Sequence, residues 1–344
     1  MKKYILFLSL ITMSIAVKAQ FDKEPYITKS LSNQSIQNVK VETSGGSITV
    51  GGVSPSEAKI EVYVSSNNGL GTLSKDEIQK RLEENYELKI SVDGNTLNAI
   101  AKQKHDNMDW KRSLSISFKI YVPKNVSTDL STSGGSINLN DLSGTQKFRT
   151  SGGSLHVDNI TGKIDGGTSG GSIHLSNCND DIDLRTSGGS IEAKNCKGKL
   201  DLSTSGGSLN LSDLDGTIDA STSGGHIEAD NIKGEFTSST SGGSIRMTNI
   251  AATLETSTSG GSINVEISSL GKYVKVSNSG GDINLSLPAN KGLDLDLHGN
   301  KVKVSPMNNF SGDTDENSIN GKLNGGGTQI TARAGSGHIY LSFK

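Results

Sequence analysis

The stretch DLSTSGGSLNLSDLDG, Asp201 to Gly216, decides the fold. Taken alone it has the look of a linker, with two adjacent glycines, many hydroxyl side chains and few large apolar groups. The same phrase returns along the chain. The first glycine of its pair stands at 134, 152, 170, 188, 206, 224, 242 and 260, an interval of 18 residues held throughout. Low-complexity drift does not keep such a register, so the phrase is the unit of a repeat array.

Aligned on the glycines, the repeats form columns. Ile137, Leu155, Ile173, Ile191, Leu209, Ile227, Ile245 and Ile263 make one; Leu139, Val157, Leu175, Ala193, Leu211, Ala229, Met247 and Val265 follow two positions later. A spacing of two is a strand with one buried face. Three residues on lies a corner column, Leu142, Ile160, Cys178, Cys196, Leu214, Ile232 and Ile250. A second strand is led by Gln146, Ile164, Ile182, Leu200, Ile218, Phe236 and Leu254. Its next inward column is mixed, from Phe148 and Gly166 to Ser238 and Thr256, and the one after is unbroken threonine from Thr150 to Thr258.

Alternation of two, short segments and abundant Thr and Gly exclude a helical solenoid. Extended segments at ~3.3 Å per residue give each repeat a contour of roughly 60 Å, and stacked strands sit ~4.8 Å apart. The expected architecture is therefore all-β, a solenoid of short parallel strands around a narrow core. A low apolar content suffices, because each turn has few inward positions to fill.

The corners agree. Asp141, Asn159, Asn177, Asn195, Asp213, Asn231 and Asn249 precede the buried corner residue, and Asn and Asp tolerate the left-handed region and bond to local backbone. Glycine follows at 144, 162, 198, 216 and 234, with Asp180 and Ala252 departing. The Ser-Gly-Gly corner is the second bend. The register reaches outward to Val39, Val41, Thr43, Ile48 and Val50 around Gly45, and to Val274, Val276, Ile283 and Leu285 after a two-residue insertion. It reappears in Ile330, Ala332, Ala334, Ile339 and Leu341.

The main interruption lies between Pro55 and Pro123. A capping box at Ser74-Lys-Asp-Glu77 predicts a helix over about 74–86, with Ile78, Leu82 and Tyr86 on one face. The alternating segments Ala58 to Val64, Tyr86 to Val92 and Leu114 to Val122 read as less regular turns, and polar Pro306 to Asn324 as a loop. The expected division is a leader over 1–19, irregular N-terminal turns and cap over 20–130, regular repeats over 131–288, and C-terminal turns and cap over 289–344.

The leader is MKKYILFLSLITMSIAVKAQ: Lys2 and Lys3, an apolar run from Tyr4 to Ile15, then small residues at Val17 and Ala19. This is a signal peptide with the mature start expected at Gln20. The run is short of the ~20 residues of a membrane span, and no cysteine follows the small-residue site to carry a lipid. The chain is slightly acidic, with formal net charge −2, and has no basic block of the kind nucleic acid requires. The expected product is exported, periplasmic or at the cell surface.

Chemistry-bearing residues are few. Cys178 and Cys196 sit one repeat apart in the apolar corner column; stacked Cβ atoms ~4.8 Å apart exceed the ~3.8 Å mean of a disulfide, so free thiols are expected over a crosslink. Asp165, Asp183, Asp201 and Asp219 form an outward ladder that invites a cation. Lys163 and Lys199, two positions earlier, can neutralise it, and the glycine-aspartate nonapeptide of calcium-binding rolls is absent. His156 and His174 stack beside Glu192, Asn210 and Glu228 without the order of a catalytic triad. The SGG corners lack the following helix and lysine of a phosphate loop. Trp110 and the scattered tyrosines make no sugar-stacking strip, and the threonine column has the wrong parity for an ice-binding face. No catalytic, cofactor-binding or metal residue is assigned.

Repeated T-S-G-G-S-I with short alternating strands, the export signal and the closing GKLNGGGTQITARAGSGHIYLSF, Gly321 to Phe343, resemble the bacterial DUF4097 family of adhesin-like proteins. The resemblance covers essentially the mature chain. It implies a single-stranded, right-handed parallel β-helix that is exported and adhesin-like, and it offers no catalytic residues to carry across. The expected function is non-enzymatic, adhesin-like or scaffolding, with carbohydrate or protein partners at the envelope and no cofactor. The alternatives are a carbohydrate-active β-helical enzyme and a periplasmic regulatory or sensory component.

Overall fold

The computed structural model of the protein describes residues 24–67, 73–105 and 112–344. The leader and Trp110 lie outside the described residues. The architecture is repetitive, solenoid-like and all-β. From Ile137 to Asn278 each strand pairs in parallel with its counterpart one repeat on, so that Leu155 opposes Ile173, Ile173 opposes Ile191 and Ile191 opposes Leu209. The 18-residue step continues through Leu209–Ile227 and Ile227–Ile245. It slips between Ala252 and Leu254, where the inserted residues shift the partner of Leu254 to Val274. The inward columns are buried along their whole length. The mixed column interlocks by size: a Cβ on Gly166 would lie 2.2 Å from Phe148 Cε2 and 2.6 Å from Leu184 Cδ2, so the glycine makes room for the phenylalanine ring. Farther along, Ser238 and Thr256 pair hydroxyl to hydroxyl at 2.7 Å within the core.

The threonine column does more than fill space. Thr204 Oγ1 donates to the carbonyl of Gly189 in the previous turn (2.7 Å) and accepts from the N–H of Gly207 in its own (3.3 Å). The same pair of bonds recurs at Thr150, Thr168, Thr186, Thr222 and Thr240. Beyond Thr258, which donates to Gly243 O, Asn278 performs both tasks with its amide, Nδ2 donating to Gly261 O and Oδ1 accepting from Gly281 N. The second serine of the motif is an acceptor as well. Ser190 Oγ takes the N–H of Ser208, and Ser208 Oγ that of His226, whose own Nδ1 then accepts from Ser244 N. At the other bend the Asn/Asp column is left-handed, with φ between 53° and 58° from Asp141 to Asn249. Asn159, Asn195 and Asn231 each donate to the residue one turn below at 2.6 Å.

At both ends the stacking order departs from chain order. Asn38–Thr43 lies between Thr96–Gln103 and Ser127–Thr132, parallel to both. Ile48–Val53 is likewise enclosed by Leu114–Pro123 and Ile137–Asn140. The segments read as further turns therefore divide. Leu114–Pro123 is a parallel layer, whereas Lys59–Ser66 and Tyr86–Asp93 run antiparallel along the outside. Antiparallel strands need only a short reversal, so the chain can cover its own open end before stacking resumes.

The helix spans Lys75–Asn85, with Ser74 Oγ accepting from Glu77 N; Ile78 and Leu82 are buried. The Glu77 carboxylate turns to Arg81 at 2.6 Å. At the other end Thr328–Ala334 and His338–Phe343 insert between the regular stack and the strands Leu293–His298 and Lys301–Ser305. The segment expected as a loop is a hairpin, Phe310–Thr314 and Ser318–Leu323, whose second strand runs antiparallel to Leu293–His298. Its first strand is exposed almost throughout, so it carries no alternating signal.

The two corner glycines differ sharply in tolerance. A Cβ on Gly207 would lie 2.0 Å from Gly189 O, whereas one on Gly206 meets nothing closer than 3.4 Å. Gly207→Ala is expected to cost about 3 kcal/mol or more and Gly206→Ala less than about 0.5 kcal/mol in urea unfolding. Equal stability of the two variants would contradict this stacking. Thr204→Val, nearly the same shape, leaves both clamp partners unpaired and is expected to cost about 1–3 kcal/mol in the same assay.

Candidate functional site

The motif T-S-G-G-S places its two serines in different roles. The second accepts the backbone N–H of the residue one turn on. The first, at 133, 151, 169, 187, 205, 223, 241, 259 and 279, is exposed, and none of these hydroxyls has a hydrogen-bond partner among the described residues. They form a row along the Ser-Gly-Gly corner at a rise of ~4.8 Å per turn. Two positions earlier, across the inward threonine, runs a second outward column: Ser131, Arg149, Gly167, Arg185, Ser203 and Ser221. Between the columns lies an open groove of about 590 Å³ that spans five turns, from Ser131 to Ser205, or roughly 19 Å of axis.

Two arginines wall this groove, and the aspartate ladder aims them. Arg185 Nε donates to Asp183 at 2.8 Å and its Nη2 reaches Asp201 at 3.2 Å. Arg149 Nη2 pairs with Asp165 while its Nη1 donates to Phe148 O. A Cβ on Gly167 would approach Arg149 Cδ to 3.2 Å, so the glycine lets that side chain lie flat across the column. The counter-ions of Asp165, Asp183 and Asp201 are therefore Arg149 and Arg185. Lys163 and Lys199, expected in that role, form no ion pair with a described residue. A lysine two residues before its aspartate on the same strand cannot match the fork of a guanidinium, which bridges two carboxylates one rise apart. Asp219 has no such partner. Partial desolvation, then the Asp201 charge one rung away, push its carboxyl above the ordinary range.

The remaining candidates stay separate from the groove. The rings of His156 and His174 stack at 5.0 Å and 15°, and His174 Nδ1 lies 3.2 Å from Glu192. Burial, then the His174 charge, lower the pKa of His156. Cys178 and Cys196 are buried free thiols. The Cys178 N–H donates to Cys196 Sγ at 3.4 Å, and the hydrogen bond between the thiols together with burial holds Cys178 well above the usual thiol range. Among the described residues no group of three His, Cys, Asp or Glu side chains is placed to hold a metal ion. No described helix is long and apolar enough to cross a membrane.

No family model matches the chain, so the DUF4097 resemblance stands on its motif residues alone. No curated protein matches it either. Among solved structures it is similar to a candidate cell adhesion protein from Clostridium sporogenes, at 14% identity over 92% of this chain and 98% of that one, with a TM-score of 0.19. A candidate adhesin from Bacteroides fragilis shares 12% identity over 92% and 96% of the two chains, TM-score 0.35. A third, from Parabacteroides distasonis, shares 13% over 92% and 96%, TM-score 0.27. Superpositions this loose leave the fold to the strand register itself.

Arg149 and Arg185 could have been found by aligning the repeats: both precede the threonine, two repeats apart, with a glycine between. The free serine row could not, because only hydrogen bonding separates it from the acceptor row. Asp219→Asn removes a carboxylate whose folded pKa is raised. A raised acid binds more protons folded than unfolded, so its stability contribution declines as pH rises. The variant is expected to raise the urea midpoint at pH 7, with the gain vanishing below pH ~4. A gain that persists at pH 3 would contradict the desolvation.

Proposed function

We propose that the chain is an exported, non-enzymatic, adhesin-like or scaffolding protein of the cell envelope that binds an extended neutral polysaccharide along the serine–arginine groove. The observation that carries this is the row of unpartnered serine hydroxyls lining one groove with arginines already fixed by aspartates. In the regular repeats the backbone N–H and C=O groups of the groove wall are taken up by neighbouring turns. A peptide therefore finds no strand edge to extend, and recognition falls to side chains. A hexopyranose unit in an extended chain is about as long as one coil rise, so successive rings present hydroxyls in step with successive turns. With three aspartates beside two arginines the groove has no cationic excess, which favours a neutral over an acidic polymer.

The proposal includes a right-handed parallel β-helix of 18-residue turns, the hand that parallel crossovers adopt almost without exception. It also includes export through residues 1–19, the division at 20–130, 131–288 and 289–344, and kinship with DUF4097 through the T-S-G-G-S-I repeats. Each hydroxyl contact is weak, so affinity arises by repetition along the axis.

A panel of neutral and acidic polysaccharides and host-matrix proteins, with new reducing ends monitored in parallel, tests the reading on the mature protein. Binding to a neutral glucan is expected to strengthen with oligomer length up to the groove span, without turnover. Replacing both Arg149 and Arg185 by alanine is expected to weaken it roughly three- to tenfold. Release of reducing ends would establish an enzyme instead, and binding indifferent to the double variant would remove the groove from the function.

A further inference from the structure

The opposite wall carries a second outward ladder, the one that includes His156 and His174. Its upper rungs are Arg246, Asn264 and Asn284, in register one above the next. The C-terminal strand then places Tyr340 directly beside Asn284. These four side chains, with Thr248 and Ser286, line an open cleft of about 240 Å³, three rises or roughly 14 Å from Arg246 to Tyr340.

Each rung offers a different chemistry. Tyr340 is 38% exposed, one of two large exposed hydrophobic side chains among the described residues. His338 packs against its ring at 6.1 Å. Asn284 Nδ2 donates to Asn264 Oδ1 at 2.9 Å, which orients both amides and leaves an acceptor on Asn284 and donors on Asn264 open. Arg246 forms no ion pair with a described residue, although Glu228 stands one rung below it. The cleft's other charge, Glu266, is already paired with Lys344 at 2.8 Å. Ser286 Oγ is buried without a hydrogen-bond partner.

We infer that this cleft is a second binding site, for an acidic saccharide of two or three rings, in which Tyr340 stacks on the apolar face of one sugar and Arg246 receives a carboxylate at the other end. An exposed tyrosine supplies flat apolar area with a polar rim. The paired asparagines present both donor and acceptor to ring hydroxyls, and an unpaired guanidinium recognises a carboxylate through two parallel hydrogen bonds. The site is independent of the serine groove, whose arginines are neutralised and whose ligand is neutral.

Calorimetric titration of the mature protein with trigalacturonic acid and, separately, with cellotriose tests it. The acidic trimer is expected to bind about tenfold tighter than the neutral one. Tyr340→Ala should weaken its binding roughly three- to tenfold, with Tyr340→Phe close to the parent. Arg246→Gln should abolish the preference for the acidic sugar. The Arg149 and Arg185 double variant should leave trigalacturonate binding unchanged, so that failure of either site is seen separately. The side chains are on the outer wall, and melting curves establish that each variant is folded. No binding of trigalacturonate, or trigalacturonate binding unaffected by Tyr340→Ala or by Arg246→Gln in the folded variants, would overturn the assignment.

Discussion

The structure depends on a contact that tolerates no side chain. At each Ser-Gly-Gly corner the second glycine lies so close to its counterpart one turn below that a Cβ would strike the carbonyl oxygen, at 2.0 Å for Gly153, Gly207 and Gly225. The inward threonine uses that approach, bonding the lower carbonyl and the upper N–H with a single hydroxyl. Both groups would otherwise be buried polar atoms of a tight bend, and leaving either unsatisfied costs about 1–3 kcal/mol. The appearance of Asn278 in the same column, making the same bonds with an amide, shows that the constraint is on the hydrogen bonds and not on threonine as such.

Regular stacking creates a problem at each end, since the last turn leaves a row of open backbone groups. Both ends solve it alike. The chain passes beyond its terminal turn, builds an outer layer with antiparallel cover strands, and leaves the terminal segment enclosed one layer in. Thr43 thus stacks against Thr132, and Ile283 against Ile339. The Asp282 carboxylate takes the acceptor role that serines fill elsewhere, receiving the N–H of His338 at 2.8 Å. That backbone bond, then the His338 ring, hold its pKa below the usual range.

The serine groove and the cleft at Tyr340 come from the same geometry with different charge. In the groove, aspartates one rise apart would repel, and the guanidiniums that relieve them are thereby fixed in the groove wall. On the opposite wall the acid next to the cleft is satisfied by the C-terminal lysine, and Arg246 is left open. A repeat that fixes inward residues leaves its outward columns free to differ from rung to rung.

The sequence by itself determined the repeat length, the inward columns, both bends and the helix that starts at Ser74. Each is a local consequence of side-chain parity, glycine or a cap, and so is written in neighbouring residues. The aspartate ladder was legible too, since stacking follows from the period. Its partners were not: choosing Arg149 and Arg185 over Lys163 and Lys199 needs side-chain reach across turns. The order of layers at the ends was decided only by tertiary structure. Antiparallel cover strands such as Phe310–Thr314 bury too little for alternation to mark them, and the meeting of Tyr340 with Asn284 joins residues 56 apart through a strand inserted out of sequence order. No local pattern encodes that contact, because it arises from the need to close the open edge of a stack.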